Sequence, residues 1–190
     1  MKEIVYVARH ATPDWTRTDI VYYLPPGPPL TDLGLQEAQA LGAFLLQEGV
    51  KHFFSSPLER CEHTARIAAQ LSGAQVEIHP GLLEWQPDDT PASVWARLEP
   101  AFVRAAAFSQ DGGPAALVTH GGPVGALLFG LGMDEVTLNS RRIFDHRNLI
   151  PPAGVWKVSR SASGEPWEME LVFIPELGRG QAQIDADIKT

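Results

Sequence analysis

Arg9 and His10 follow directly on the apolar run Ile4-Val5-Tyr6-Val7-Ala8, so a histidine leaves a buried strand beside a guanidinium group. That pairing suits phosphoryl transfer, because a neutral imidazole can attack phosphorus while a guanidinium fork holds the phosphoryl oxygens. Two later segments have the same character. Ser55-Ser56-Pro57-Leu58-Glu59-Arg60 closes a second short apolar run, and His120-Gly121-Gly122 closes the run Ala115-Ala116-Leu117-Val118-Thr119. Taken singly, each also reads as a capped helix start, a solvated arginine or a packed histidine. Ligands of open α/β sheets bind beyond the carboxyl ends of the strands, and there these three segments deliver two arginines and two histidines to one pocket. Their coincidence is what points to chemistry.

The elements that must position these residues are read from periodicity. Residues 3–8 are a strand, and residues 34–48 carry Leu35, Ala38, Leu41, Phe44 and Leu45 at helical spacing, with Thr31 or Asp32 as the cap. Between them runs Pro25-Pro26-Gly27-Pro28-Pro29, too rich in proline to be regular and expected to face the site. Strands are expected over residues 51–55, 75–79 and 115–119, helices over 58–71, 92–109 and 123–131, and a loop over 80–91. Residues 155–159 and 168–174 read as a terminal hairpin. The alternation predicts an α/β fold, a single domain with a mostly parallel central sheet flanked by helices. The domain is expected over residues 1–175, and residues 176–190 form a polar, aperiodic tail expected to lack fixed order.

Composition narrows the function. The chain has 190 residues, 44% of them hydrophobic, enough for one substantial core. A formal net charge of -8 and no block of Lys and Arg argue against nucleic acid and against an anionic membrane surface as partners. Cys61 is the only cysteine, so an internal disulfide is impossible and a reducing, cytoplasmic setting is expected. Neither a signal peptide nor a run of about 18 apolar residues is present, and a soluble, unprocessed protein is expected.

The chain resembles the histidine phosphatase superfamily, the phosphoglycerate mutase-like proteins, over about residues 3–160. The resemblance rests on five ordered segments: Arg9-His10 with Trp15; Pro29-Leu30-Thr31-Asp32-Leu33-Gly34-Leu35-Gln36-Glu37-Ala38; Ser55 to Arg60 with Thr64-Ala65; Leu83-Glu84; and Thr119-His120-Gly121-Gly122. It implies a phosphoglycerate mutase-like fold and a phosphohistidine formed on His10. Arg9, Arg60 and His120 would bind the phosphoryl oxygens, with Thr12 and Gly121 beside them. His10, Glu84 and His120 would be the catalytic residues, Glu84 serving as general acid and then as base toward water, with Asp88 and Asp89 as the alternative carboxylates. The arginines would keep His10 neutral and supply the charge that a metal otherwise brings, so neither metal nor cofactor is expected. The partner is a small phosphorylated substrate, and a homodimer is left open.

Two departures from the family pattern matter. Ala11 stands where glycine commonly follows the histidine, so a positive φ there would be strained, and Pro13 stands where a hydroxyl is usual, with Thr12 one residue earlier. Thr16 also replaces an asparagine common in mutases. Competing chemistries fit less well. Cys61 and Arg66 have C-x4-R spacing inside an expected helix, without the glycine-rich loop of a cysteine phosphatase, and His52, His63, His79 and His146 show no metal-ligand spacing. Mutases hold the substrate carboxylate with further cations after the general acid, and residues 85–113 offer only Arg97 and Arg104. Hydrolysis of a phosphomonoester is therefore the expected reaction, with mutase-type transfer and a non-catalytic phosphate-binding protein as alternatives.

Overall fold

The computed structural model describes residues 2–176. The polar tail expected from residue 176 thus lies outside the described residues from 177 onward. Six strands form one sheet in the order β3-β2-β4-β1-β5-β6, comprising β1 (Glu3–Arg9), β2 (His52–Ser55), β3 (Gln75–Ile78), β4 (Ala115–Thr119), β5 (Val155–Arg160) and β6 (Glu168–Phe173). The pairs β1/β4, β2/β4 and β2/β3 are parallel, and β5 and β6 run antiparallel at the other edge as the expected hairpin. The sheet is mostly parallel, as the alternation of elements predicts.

The helices are α1 (Asp32–Gln47), α2 (Glu59–Gln70), α3 (Pro91–Asp111), α4 (Gly121–Gly130) and α5 (Glu135–Ser140). Alternate residues of β1 separate the two layers. Val5 and Val7 pack against Leu98 and Phe102 of α3 and Leu127 of α4, whereas Tyr6 and Ala8 pack against Leu41 of α1 and Ala65 of α2. Strand β4 lies between β1 and β2, so the helix after β1 covers one face and the helix after β4 covers the other. This switch opens a crevice at the carboxyl ends of the central strands, where Arg9-His10 and His120 emerge.

Local chemistry sets the helix starts. Thr31 caps α1 by accepting from the Gly34 N–H at 3.0 Å, resolving the choice between Thr31 and Asp32. Thr90 and Ser93 cap α3 reciprocally. That helix continues through Pro100, which is exposed, because Val94, Leu98, Ala101 and Ala105 bury the opposite face. Phe102 is buried in this core layer and Trp95 packs against it. The expected loop over residues 80–91 contains a 3-10 turn, Pro80–Leu82, that carries the chain from β3 to Glu84.

The stretch between α4 and β5 gave no clear periodicity, and it holds α5 and a 3-10 turn at Asp145–Arg147. Both are too short for a periodic signal to register, and His146 and Arg147 take positive φ angles of 51° and 57°. Ala11 does not: among the described residues, non-glycine positive φ occurs at His146, Arg147 and Ala153. The strain foreseen for Ala11 is absent because its backbone stays out of the left-handed region, with its N–H donating to Thr64 Oγ1 at 3.1 Å.

Candidate active site

His10 is fully buried at the end of β1 and held from both sides. Its N–H donates to the Thr119 carbonyl of β4 at 2.9 Å, and its carbonyl accepts from Ala153 N–H at 3.1 Å. The ring is oriented as well. Nδ1 lies 2.8 Å from the Ala11 carbonyl, which can only accept, so Nδ1 carries the proton and Nε2 keeps its lone pair. Burial first, then the Arg60 and Arg9 guanidinium groups, hold His10 well below the ordinary histidine range. A neutral imidazole whose Nε2 keeps its lone pair is the form a nucleophile requires.

His120, at the end of β4, packs edge-on against His10 with ring centroids 5.2 Å apart. Its Nδ1 accepts from Arg60 Nη2 at 3.0 Å, because a guanidinium can only donate, and so Nε2–H donates to Ser56 Oγ at 2.9 Å. Burial and the Arg60 charge also hold this imidazole well below the usual range. Arg60, on α2, is fully buried and is shared among three partners: the Tyr22 carbonyl at 2.8 Å, His120, and Glu84 Oε2 at 3.4 Å. Glu84 takes the Trp85 N–H on Oε1 at 2.9 Å, and burial raises its carboxyl above the usual range against the pull of Arg60.

Arg9 reaches the same cavity through a different set of partners. Nη1 and Nη2 fork onto the Asp145 carboxylate at 2.7 and 2.8 Å, and Nη1 also meets the Ile150 carbonyl at 3.1 Å. Nε of Arg9 and Nε of Arg60 are buried and without a partner among the described residues. Two guanidinium groups beside one neutral imidazole give this end of the sheet the positive charge that suits an anionic ligand. Gly121 opens α4, where backbone N–H groups have no intrahelical acceptor. A Cβ at Gly121 would collide with the Asn148 side-chain amide, which would have to move aside.

Thus His10, Arg60, Glu84 and His120 touch one another, and Arg9, Glu84 and Gly121 line one cavity of about 340 Å³. Thr12 stands apart. Its N–H is bound by the buried Glu37 carboxylate at 2.7 Å and its carbonyl accepts from Thr31. Asp88 is exposed. In Asp89, burial would raise the carboxyl, but hydrogen bonds from Gln86, Ser93 and Arg97 outweigh it and hold it below the usual range. Cys61 is buried at Thr119 and His120, and burial pushes its thiol far above the ordinary range, which leaves no thiolate for nucleophilic work. His63 is exposed and borders a separate surface groove with Pro25 and Arg66.

Several neighbours of the site carried no role in the sequence. Asp145 lies in the aperiodic stretch before β5, and Tyr22 in the irregular loop that faces His10. Tyr22 lies 3.3 Å from His10 Nε2, and its ring stacks on Trp15 and covers the Arg60 guanidinium at 3.9 Å. Arg97 was weighed only as a carboxylate ligand, and it is instead a clamp on the Glu84 loop. It donates to the carbonyls of Gly81, Leu83 and Glu84 at 3.0, 2.6 and 3.0 Å and to Asp89 at 3.1 Å. Arg104 pairs with Glu77 at the surface. Ligand atoms of His10, Glu84 and His120 lie within 4.8 Å of one another, near enough to share a metal ion, but Arg60 donates into the middle of that trio. Its fixed charge opposes a second cation there.

Residues 5–90 match the model of the histidine phosphatase superfamily (branch 1). A stretch of 93 residues is 29% identical to the probable phosphoglycerate mutase GpmB of Yersinia pestis (strain Pestoides F), covering 45% of this chain. The match spans only 43% of that relative's length. The fold is shared with mycobacterial hydrolase 1 (TM-score 0.73, 18% identity, 90% of this chain and 97% of that one). It is shared equally with mycobacterial glucosyl-3-phosphoglycerate phosphatase (TM-score 0.70, 18% identity, 90% and 98%). Among the described residues no helix is long and apolar enough to cross a membrane.

Proposed function

The chain belongs to the histidine phosphatase superfamily, and on that premise we propose that it is a metal-independent phosphomonoester hydrolase acting through a phosphohistidine on a small phosphorylated metabolite. The observation that carries this reading is a buried neutral His10 whose Nδ1 is anchored on the Ala11 carbonyl, flanked by two guanidinium groups with unpartnered Nε–H donors. Nε2 attacks phosphorus, and the N–P bond forms as the bond to the ester oxygen breaks. Arg9, Arg60 and the Gly121 N–H take the charge on the equatorial oxygens, and His120 joins them by exchanging its Ser56 contact for a phosphoryl oxygen, with Thr12 placed at the margin.

Glu84 delivers its proton to the departing oxygen, which leaves as the alcohol. Its raised carboxyl suits that task, since it keeps the proton to higher pH than an ordinary glutamate. Glu84 then takes a proton from the water that attacks phosphohistidine, inorganic phosphate leaves, and neutral His10 is regenerated. A cytoplasmic setting fits the lone, buried Cys61 thiol. The competing reaction is the mutase named for the Yersinia relative. It requires cations for a substrate carboxylate, and Arg97 and Arg104 already have other partners.

Rapid quenching with a substrate labelled in its phosphoryl group tests the proposal. A label stable to alkali, lost in acid and absent from His10→Ala is expected; no trapped label, or label retained by that variant, overturns it.

A further inference from the structure

Arg9 enters the His10 cavity already paired. Both of its Nη atoms are taken by the Asp145 carboxylate, at 2.7 and 2.8 Å, and Nη1 also meets the Ile150 carbonyl at 3.1 Å. The pair ties the end of β1 to a turn 136 residues later, and Arg9 is 2% exposed where Asp145 is 34% exposed. Arg60 is held differently. Its carboxylate partner is Glu84, through one contact at 3.4 Å, and in the proposed reaction Glu84 gives up and regains a proton. Arg9 thus has a counter-ion that takes no part in the proton transfers, and Arg60 does not.

The turn that presents this carboxylate is strained and tied down. His146 and Arg147, directly after Asp145, take positive φ angles of 51° and 57°, a cost that residues with a Cβ carry where surrounding contacts fix the backbone. Such contacts are present. The Asp145 carbonyl accepts from the Asn148 N–H at 3.0 Å and from Asn148 Nδ2 at 2.9 Å, and the Arg147 carbonyl accepts from Arg142 Nη1 at 3.2 Å. His146 and Asn148 line the same cavity as Arg9 and Gly121, so the turn is a wall of the site and Asp145 is its link to β1.

Asp145 and a bound phosphoryl group are both anions on one guanidinium, so each weakens the hold on the other. Resting on the hydrolase reading above, we propose that Asp145 is a positioning residue acting through Arg9, which it clamps and whose charge it offsets in part, so that the site lets inorganic phosphate go after each turnover. Loss of the carboxylate does not release Arg9, because the buried side chain keeps its bond to the Ile150 carbonyl. It leaves the guanidinium with more charge for the phosphoryl oxygens. Tighter phosphate binding is therefore the mark of this role, whereas loss of a residue that only supported the turn would weaken binding.

The test measures competitive inhibition of p-nitrophenyl phosphate hydrolysis by inorganic phosphate, with calorimetric binding of inorganic phosphate as the direct check. Asp145→Asn should lower the inhibition constant and KM by about tenfold, with kcat unchanged or reduced. Asp145→Ser, which keeps a hydroxyl at this partly exposed position, should shift both constants in the same direction. Asp145→Glu returns the charge and should fall within about threefold of wild type. Inhibition unchanged or weakened in Asp145→Asn and Asp145→Ser, or Asp145→Glu inhibited as strongly as Asp145→Asn, overturns this role and leaves the hydrolase standing. Absence of phosphate release by wild type, with no phosphohistidine formed, overturns the hydrolase and this role with it.

Discussion

The Tyr22 hydroxyl donates to the lone pair of His10 Nε2 across 3.3 Å, because Nδ1 already holds the ring's proton. In the proposed reaction that lone pair attacks phosphorus. Tyr22 and a phosphoryl group therefore compete for the same orbital, and the loop that carries Tyr22 is anchored by the donation from Arg60 to its carbonyl. Binding of substrate must displace the hydroxyl while the aromatic ring can stay over Arg60.

Tyr22→Phe keeps the ring and removes the competitor. One neutral hydrogen bond is worth about 0.5–1.5 kcal/mol, so inorganic phosphate should inhibit this variant more strongly than wild type, by about two- to tenfold. Competitive inhibition constants provide the check. Weaker inhibition would show instead that the hydroxyl is itself a phosphate ligand.

Arg97 governs Glu84 through the backbone. Its four donations pin the chain on both sides of the acid, to Gly81 and Leu83 before it and to Asp89 after it. Arg97→Ala should slow phosphorylation by an alkyl phosphate about 10- to 100-fold, within the range general acids contribute. An aryl phosphate with a good leaving group should lose far less. Equal losses for both would mean that Arg97 supports only the stability of the loop.

The sheet and the two buried histidines at its edge, His10 and His120, were legible because they rest on long signals. The apolar run before Arg9, the buried run before His120 and the helical spacing from Leu35 to Leu45 each span several residues and translate directly into β1, β4 and α1. Asp145 was not legible. Its partner Arg9 is 136 residues away, and its own backbone lies in a 3-10 turn with left-handed neighbours that no periodicity marks. Tyr22 and Arg97 escaped for a related reason, since a loop tyrosine and a helix arginine acquire these roles only through tertiary contacts. Thr12 was chosen for its hydroxyl, while its N–H serves Glu37.

Two opposed shifts should shape the pH profile. His10 acts neutral, and its lowered pKa keeps it neutral to below the ordinary histidine range, so activity on the acid side should persist below about pH 6.5. In the proposed first step Glu84 acts protonated, and its raised pKa carries that form above the usual carboxylate range before rising pH removes it. Single-turnover phosphorylation should therefore fall at high pH, and Glu84→Gln should be slow with that limb missing. Persistence of the limb in the variant would assign it to another group.

The last prediction concerns metal ions, because His10, Glu84 and His120 bring three ligand atoms within 4.8 Å of one another. Such a trio beside a phosphate also describes a metallophosphatase, in which the ion supplies the charge that polarises the ester. In the proposed reaction Arg60 takes that role. It is fully buried, donates to Glu84 and His120, and leaves its Nε–H for a further acceptor. Arg9 adds a second guanidinium, so a divalent ion would have to enter against two fixed positive charges and take the lone pair that His10 needs for attack. Exhaustive chelation should leave turnover unchanged, and added Zn²⁺ should inhibit by engaging His10 Nε2, less strongly as inorganic phosphate fills the site. Activity lost to the chelator and restored by one divalent ion would make the trio a metal site and Arg60 its accessory.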